Sequence, residues 1–197
     1  MNIKRTVLLF TLCLSSYYGF SQLQHGEVLN NFRLYDPIAD SYFDLSKEPR
    51  HTILVIVFLD HECPYSKLYI ERLIRTAKNF SDQDVYFLAI RPSSSTNIQA
   101  EYKSMREYAK NFPLPFHYIV DKDKSLTQAL HVTKTPSAYV FKSIDNAYSM
   151  EYRAAIDDAP EKEKEISEAY LQKAITALLN NKSFKYRYTE SVGCVVK

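Results

Sequence analysis

The feature that most constrains the fold is a continuous apolar run that ends just before a cysteine and a proline. Residues 52–59 are typical of a strand that is buried on both faces of a sheet. Pro64 fits the first turn of a helix, because its missing N–H needs no partner there. Apolar residues with helical spacing follow, at Leu68, Tyr69, Leu73, Ile74 and Ala77. The run therefore predicts a central strand that leads directly into a helix.

Strand and helix patterns alternate along the rest of the chain. We predict strands at 32–35, 84–90, 116–120, 137–141 and 148–153, and helices at 98–112, 125–130 and 166–179. The alternation predicts a single α/β domain with a central mixed sheet, partly parallel and flanked by helices. The strands at 137–141 and 148–153 are expected to form a hairpin.

The segment 1–21 has the pattern of a cleaved secretory signal. Two basic residues precede a short apolar stretch, and small residues follow at the positions that a signal peptidase reads. The stretch is too short to cross a bilayer as a helix. A lipoprotein with Cys13 as the lipidated residue is disfavoured, because Leu12 before it is bulky. We therefore expect an exported protein, periplasmic or extracellular.

Charge and length narrow the class of protein further. Two of the 25 basic residues and none of the 23 acidic ones lie in residues 1–21, so the remainder has a formal charge of zero. No basic surplus is left for nucleic acid or an anionic membrane, so we expect neither a nucleic-acid partner nor stable membrane insertion. The predicted organisation is a signal at 1–21, one domain at 22–182 and a tail at 183–197.

Cys63 is placed for thiol redox chemistry. Unpaired backbone N–H groups and the helix dipole at a helix N-terminus both favour the reactive thiolate over the thiol. Ser66 occupies the position of the usual second cysteine, so a disulfide within this chain needs a distant partner. Cys13 lies in the expected signal, which leaves Cys194. Gly193 beside it would allow close approach to another surface. Whether the two cysteines pair, for redox cycling or as a permanent structural disulfide, stays open.

Several segments, in order, resemble one known family. The chain resembles the thioredoxin superfamily, most closely the redoxin members of the alkyl hydroperoxide reductase and thiol-specific antioxidant family, which are peroxiredoxin-like. Residues 26–34 resemble the opening strand of that family, and residues 61–67 its active-site turn. Residues 121–136 resemble the segment that leads into its cis-proline, residues 152–158 a later strand and turn, and residues 191–197 the terminal Gly-Cys. The resemblance implies a thioredoxin-like fold.

The resemblance also implies roles for individual residues. Cys63 would attack either a peroxide or a protein or low-molecular-weight disulfide, and Cys194 would resolve the intermediate. A thiol reductant of unknown identity would close the cycle. If the peptide bond before Pro136 is cis, the Thr135 backbone would lie beside Cys63 and pair with an extended substrate. Tyr65 would flank the thiol.

Three further side chains are candidates for lowering the pKa of Cys63: His61, Lys67 and Arg153. His61 has a competing interpretation as a solvated loop residue. A metal site at His61 and Cys63 is disfavoured, because no further ligand has suitable spacing to them. We expect no metal and no other cofactor.

The chain departs from the family pattern at four positions. Ile56 and Asp60 stand where a typical peroxiredoxin has a proline and a hydroxyl residue, which weakens the implication of peroxide reduction. Glu62 replaces an aromatic residue and Ser66 the second cysteine of thioredoxins. Asp60 and Glu62 would raise the pKa of the nearby thiol. Two alternatives therefore remain, a monothiol exchanger acting through mixed disulfides and a non-catalytic binding module with a structural disulfide.

Overall fold

The computed structural model describes residues 25–93 and 95–197, so the expected signal at 1–21 lies outside the described residues. The strands are β1 Val28–Leu29, β2 Arg33–Asp36, β3 Ser41–Asp44, β4 Ile53–Phe58, β5 Val85–Pro92, β6 His117–Asp121, β7 Lys134–Thr135, β8 Ser137–Ile144, β9 Ala147–Ala154 and β10 Cys194–Val195. The helices are α1 Pro64–Asn79, α2 Ile98–Asn111, α3 Ser125–Ala129 and α4 Tyr170–Leu179. Every strand and helix predicted from the sequence is present.

Eight strands form one mixed sheet in the order β1-β9-β8-β4-β5-β6-β2-β3. The three strands β4, β5 and β6 are parallel, and β8, β9 and β1 continue the sheet in antiparallel fashion. The mixed sheet and the β8–β9 hairpin are both confirmed. Because β4 and β5 are parallel, the turns that follow them meet at the same edge of the sheet.

Strand β4 is central and covered on both faces, as its continuous apolar run predicts. Ile53, Val55 and Val57 pack in one cluster with residues of α1, α2 and α4. The alternate residues Leu54 and Ile56 pack in a second cluster with residues of α3, β2 and β3. Full burial of a side chain of this size contributes about 1.5–3 kcal/mol. This burial fixes the position of the turn that carries Cys63.

The structure differs from the prediction at its short and late elements. The sequence did not indicate β3, β7 or β10, each of which has only two to four residues, whereas β1 lies within the opening strand that the resemblance implies at 26–34. Helix α4 begins at Tyr170 rather than at 166, because the Asp158 carboxylate accepts the N–H groups of Ser167 and Glu168 and holds them in a turn. None of the described helices is both long and apolar enough to span a membrane.

Candidate active site

Cys63 lies at the N-terminus of α1, in the turn after β4. Its carbonyl accepts the N–H of Lys67 at 3.1 Å, and its own N–H donates to the Asp60 carbonyl at 2.9 Å. Pro64 is the first helical residue, as predicted. The Cys63 side chain is buried, with 2% of its surface exposed. The sulfur is therefore held where the helix N-terminus favours a thiolate.

Cys63 and Cys194 form a disulfide within one chain. Their Cα atoms are 5.9 Å apart, which suits a disulfide, although 131 residues separate them in sequence. The structure thus answers whether the tail reaches Cys63, a question that the sequence left open. The two cysteines are therefore joined at the start of α1.

The segment Thr135-Pro136 lies against the same sulfur. Its peptide bond is cis, and the buried Thr135 carbonyl oxygen is 3.3 Å from the Cys63 Sγ. Because β8 begins at Ser137, directly opposite Phe58 at the end of β4, this segment meets the turn that carries Cys63. Thr135 also pairs with Cys194 in the β7–β10 ladder. One short backbone segment therefore contacts both halves of the disulfide.

A buried arginine, Arg91, organises the acidic side chains around the turn. It is the next-to-last residue of β5 and forms short ion pairs with Asp60, in the turn, and with Glu101, in α2. It also contacts Glu62 at 3.2 Å. The carboxylates of Asp60 and Glu62, which the sequence suggests would oppose a thiolate, are thus paired with a cation. Arginine keeps its charge in proteins, so the compensation is permanent.

His61 is buried, so its interpretation as a solvated loop residue is wrong. The Tyr118 hydroxyl donates to the Leu59 carbonyl and lies 3.0 Å from His61 Nδ1, and Arg91 Nη1 lies 3.3 Å from the same nitrogen. The other ring nitrogen, Nε2, forms a hydrogen bond with Ser104 Oγ at 2.8 Å. Burial, with a further contribution from Arg91, lowers the pKa of His61 to about 4. His61 is therefore neutral near pH 7 and supplies no positive charge to lower the pKa of Cys63.

The remaining candidate residues lie at different places around the turn. Tyr65 is half-buried in the first turn of α1, whereas the Lys67 side chain is exposed. Arg153, on β9, contacts the tail: its N–H donates to the Arg187 carbonyl, and its guanidinium lies 5.2 Å from the centre of the Tyr188 ring.

Ser66 stands at the position of the missing second cysteine, one turn into α1. It is fully buried, and its hydroxyl has no hydrogen-bond partner among the described residues. The side chain thus fills the space of a second thiol without contributing a sulfur atom. A polar group buried in this way costs about 1–3 kcal/mol of stability.

Arg91 is the residue near the site that the sequence reasoning missed. In the sequence, Arg91 is visible as a charged residue at the end of the apolar strand β5. The pattern at 84–90 predicts this strand, and in a parallel pair such an end lies beside the end of β4. Arg91 could have been found by asking which charged residues end strands parallel to the one before Cys63.

Comparison with known proteins places this arrangement in a family. The model of the AhpC/TSA family matches residues 26–169, and no curated protein is a match. The matched range includes Cys63 and Thr135-Pro136 but ends before the tail, so Cys194 lies outside it.

Solved structures with the same fold include three from bacteria. An uncharacterised conserved protein from Geobacillus kaustophilus is 24% identical, with a TM-score of 0.79 over 89% of this chain and 93% of that chain. A candidate thiol:disulfide interchange protein DsbE from Chlorobium tepidum is 14% identical, with a TM-score of 0.60 over 80% and 99%. A secreted disulfide oxidoreductase from Mycobacterium tuberculosis, homologous to E. coli DsbE, is 14% identical, with a TM-score of 0.51 over 76% and 95%. These similarities show a thioredoxin-like fold.

Proposed function

Because this chain belongs to the AhpC/TSA family, we propose that it is an exported, peroxiredoxin-like thiol oxidoreductase that cycles through the Cys63–Cys194 disulfide. The observation that carries the proposal is the bond itself, formed at the N-terminus of α1 and against the Thr135 carbonyl. Cys63 is the attacking thiolate and Cys194 the resolving thiol. Thr135, Pro136 and Tyr65 position the substrate, and Lys67 is the exposed cation nearest to Cys63 in the sequence.

Either a hydroperoxide or a disulfide can oxidise the two thiols to the Cys63–Cys194 disulfide. With a hydroperoxide, the Cys63 thiolate takes the distal oxygen and becomes a sulfenic acid, while the alcohol leaves. Cys194 then attacks the Cys63 sulfur, water leaves, and the disulfide forms. With a disulfide substrate, Cys63 forms a mixed disulfide that Cys194 resolves, which releases the second substrate thiol. An external thiol reductant regenerates both cysteines.

Thiol–disulfide exchange is the second candidate for the same site. It is favoured because this chain has Ile56 and Asp60 at the two positions where a peroxiredoxin has a proline and a hydroxyl residue. Ile56 is fully buried in the middle of β4, and the Asp60 carboxylate is engaged by Arg91. Neither side chain offers a hydroxyl to a bound peroxide. Exchange requires only the thiolate and the backbone edge at Thr135.

Turnover assays on two cysteine variants test the proposal. Each protein is reduced first and then supplied with an organic hydroperoxide or with glutathione disulfide, together with a thiol reductant, and consumption is followed. We expect Cys63→Ser to lose all turnover, because no other thiolate stands at the helix N-terminus. Without the reductant, Cys194→Ser should complete one half-reaction and stop with Cys63 as a sulfenic acid or a mixed disulfide, which mass spectrometry distinguishes. Unchanged turnover in Cys63→Ser would refute the proposal, and the substrate consumed separates the two candidates.

Export rests on the signal pattern at 1–21 and is supported by the secreted state of the Mycobacterium tuberculosis neighbour. An oxidising compartment would allow the disulfide to form. Mass measurement of the protein recovered from a secreting host tests this point. Loss of the segment 1–21 is expected, and a full-length product confined to the cytoplasm would contradict it.

A further inference from the structure

The tail occupies a backbone edge that contacts the reactive sulfur. Cys194 and Val195 pair in antiparallel fashion with Thr135 and Lys134, and the Val196 N–H extends the pairing to the Thr133 carbonyl at 2.9 Å. In the described part of the chain, the ladder of β7 is formed with β10. A strand edge of this kind accepts any extended segment through main-chain hydrogen bonds. The tail is thus a built-in example of what the edge binds.

The fit of the tail depends on the absence of a side chain just before the cysteine. A Cβ atom at Gly193 would lie 2.1 Å from the Thr135 carbonyl oxygen and 2.7 Å from its carbon. Both are backbone atoms next to a buried proline peptide, so they cannot turn aside as a flexible side chain could. In this register, therefore, a segment whose cysteine reaches Cys63 has room only for glycine before that cysteine.

The tail is held by hydrogen bonds before its last eight residues, and within those residues by the disulfide together with short-range contacts. Thr189 N–H donates to the Arg153 carbonyl at 3.3 Å, and the Thr189 hydroxyl contacts the Tyr152 hydroxyl at 2.5 Å. The tip, residues 190–197, has a two-residue strand, a largely exposed Val195, and an ion pair between Glu190 and Lys134 that is mostly exposed. Exposed ion pairs contribute little to stability. Once the disulfide is reduced, the tip is held only by non-covalent contacts: the short β10 ladder, the buried Ser191, the partial packing of Val196 against the core and the hydrogen bond from Lys124 to the Lys197 carbonyl.

The resemblance to the thioredoxin superfamily implies that an extended substrate pairs with the backbone at Thr135. We propose that a partner polypeptide bound there needs a glycine directly before its reactive cysteine, and that the tail tip competes with it for the Lys134–Thr135 edge. The inference rests on the proposed function, because it needs Cys63 to attack the sulfur of a partner. Reduction frees the tip and opens the edge. The partner then pairs with Thr135, and Cys63 displaces a thiolate from the partner's disulfide to form a mixed disulfide.

Resolution and release become one event under this arrangement. A two-residue edge cannot pair with the partner segment and with β10 at the same time. When the Cys194 thiolate attacks the Cys63 sulfur, the bond to the partner breaks and the partner leaves as a thiolate. The returning tip takes the partner's place on Thr135, so formation of the internal disulfide expels the product.

The test uses the full-length Cys194→Ser protein and two peptides. One peptide has the sequence of residues 190–197, and the other has alanine in place of its glycine. Each carries thionitrobenzoate on its cysteine, so attack by Cys63 releases a coloured thiolate. We expect the glycine peptide to react about tenfold faster or more, because the alanine Cβ meets backbone atoms. The double variant Gly193→Ala with Cys194→Ser should react faster still with the glycine peptide, because its own tip no longer fits the edge.

Two outcomes would overturn the inference, and a control separates them from failure of the proposed function. Equal rates for the two peptides would contradict the glycine requirement, and equal rates for the two proteins would contradict competition by the tip. The control is the small disulfide 5,5'-dithiobis(2-nitrobenzoic acid), which needs no edge. If Cys63 reacts with it but does not discriminate between the peptides, this inference alone fails. If Cys63 does not react even with it, the proposed function fails as well.

Discussion

At the scale of single residues, one arginine connects the segments that surround the reactive sulfur. Arg91 joins the end of β5 to Asp60 in the turn and to Glu101 in α2. The sequence predicted Cys63 from its local context, a strand followed by a helix. From the sequence, Asp60 was expected to raise the pKa of the thiol, because the arginine that pairs with it lies at the end of a different strand. Local patterns identify a nucleophile, whereas its electrostatic surroundings depend on which strands become neighbours.

Replacing Arg91 tests how far the fold depends on this contact. Arg91→Met leaves the buried Glu101 carboxylate without its cation, and we expect the free energy of unfolding to fall by about 3–5 kcal/mol. Arg75→Met is the matched control, because its ion pairs with Glu71 and Glu163 are about half exposed. The control should lose at most about 1 kcal/mol. Denaturant unfolding of both oxidised proteins measures the difference, and similar losses would show that the Arg91 network is not structurally important.

The buried His61 predicts a pH dependence with a definite sign. In the unfolded chain its pKa is near 6.5, whereas burial lowers it to about 4 in the folded protein. Between these pH values the unfolded state binds more protons than the folded state. The contribution of His61 to the free energy of unfolding is therefore fully present above about pH 6.5 and is lost as the pH drops towards 4. The loss reaches about 3 kcal/mol at most.

A His61→Gln variant isolates this contribution. Subtracting its unfolding free energy from that of the wild type, at each pH, removes the effect of other titrating groups. One of these is His117, whose pKa is raised by its hydrogen bond to Asp36. The difference curve should slope between about pH 6.5 and 4 and be flat above it. A difference curve that is flat throughout would mean that His61 is solvated after all.

At the scale of elements, the long ones were predictable and the short ones were not. Strand β4 follows from a continuous apolar run, and helix α1 follows from helical spacing. The end of β4 and the start of α1 were both predicted to within about one residue. Strand β10 has two residues and pairs with β7, which precedes it by two long strands and a helix. Nothing in the local sequence of the tail indicates that pairing. The neighbouring Gly193 was its one visible sign.

Gly193→Ala tests the pairing of β10 within the intact protein. The added Cβ meets the Thr135 backbone, so the tail must shift and the oxidised form loses stability relative to the reduced form. We expect the midpoint potential of the disulfide to rise by about 30 mV or more, the shift that corresponds to 1.4 kcal/mol. Val192→Ala serves as the control because Val192 is exposed. Titration against dithiothreitol measures both, and equal potentials would contradict the close packing of Gly193.

For the molecule as a whole, the order of elements and the family follow from the sequence, and so does the expectation that Cys194 is the resolving cysteine, whereas the contact between the tail and Cys63 does not. The family match ends at residue 169, before Cys194. Only the three-dimensional structure brings that cysteine to the N-terminus of α1. The expected export signal lies outside the described residues and stays a prediction. The proposed function therefore depends most on one property of the folded chain, the reversibility of the Cys63–Cys194 bond.

The midpoint potential of the wild-type Cys63–Cys194 couple shows whether the bond is reversible under physiological conditions. The oxidised protein is equilibrated with defined ratios of reduced and oxidised dithiothreitol or glutathione, and free thiols are counted after acid trapping. A cycling pair is expected between about −270 and −120 mV, the range of known catalytic exchangers. A potential below about −300 mV would mark a permanent structural cross-link and contradict the account.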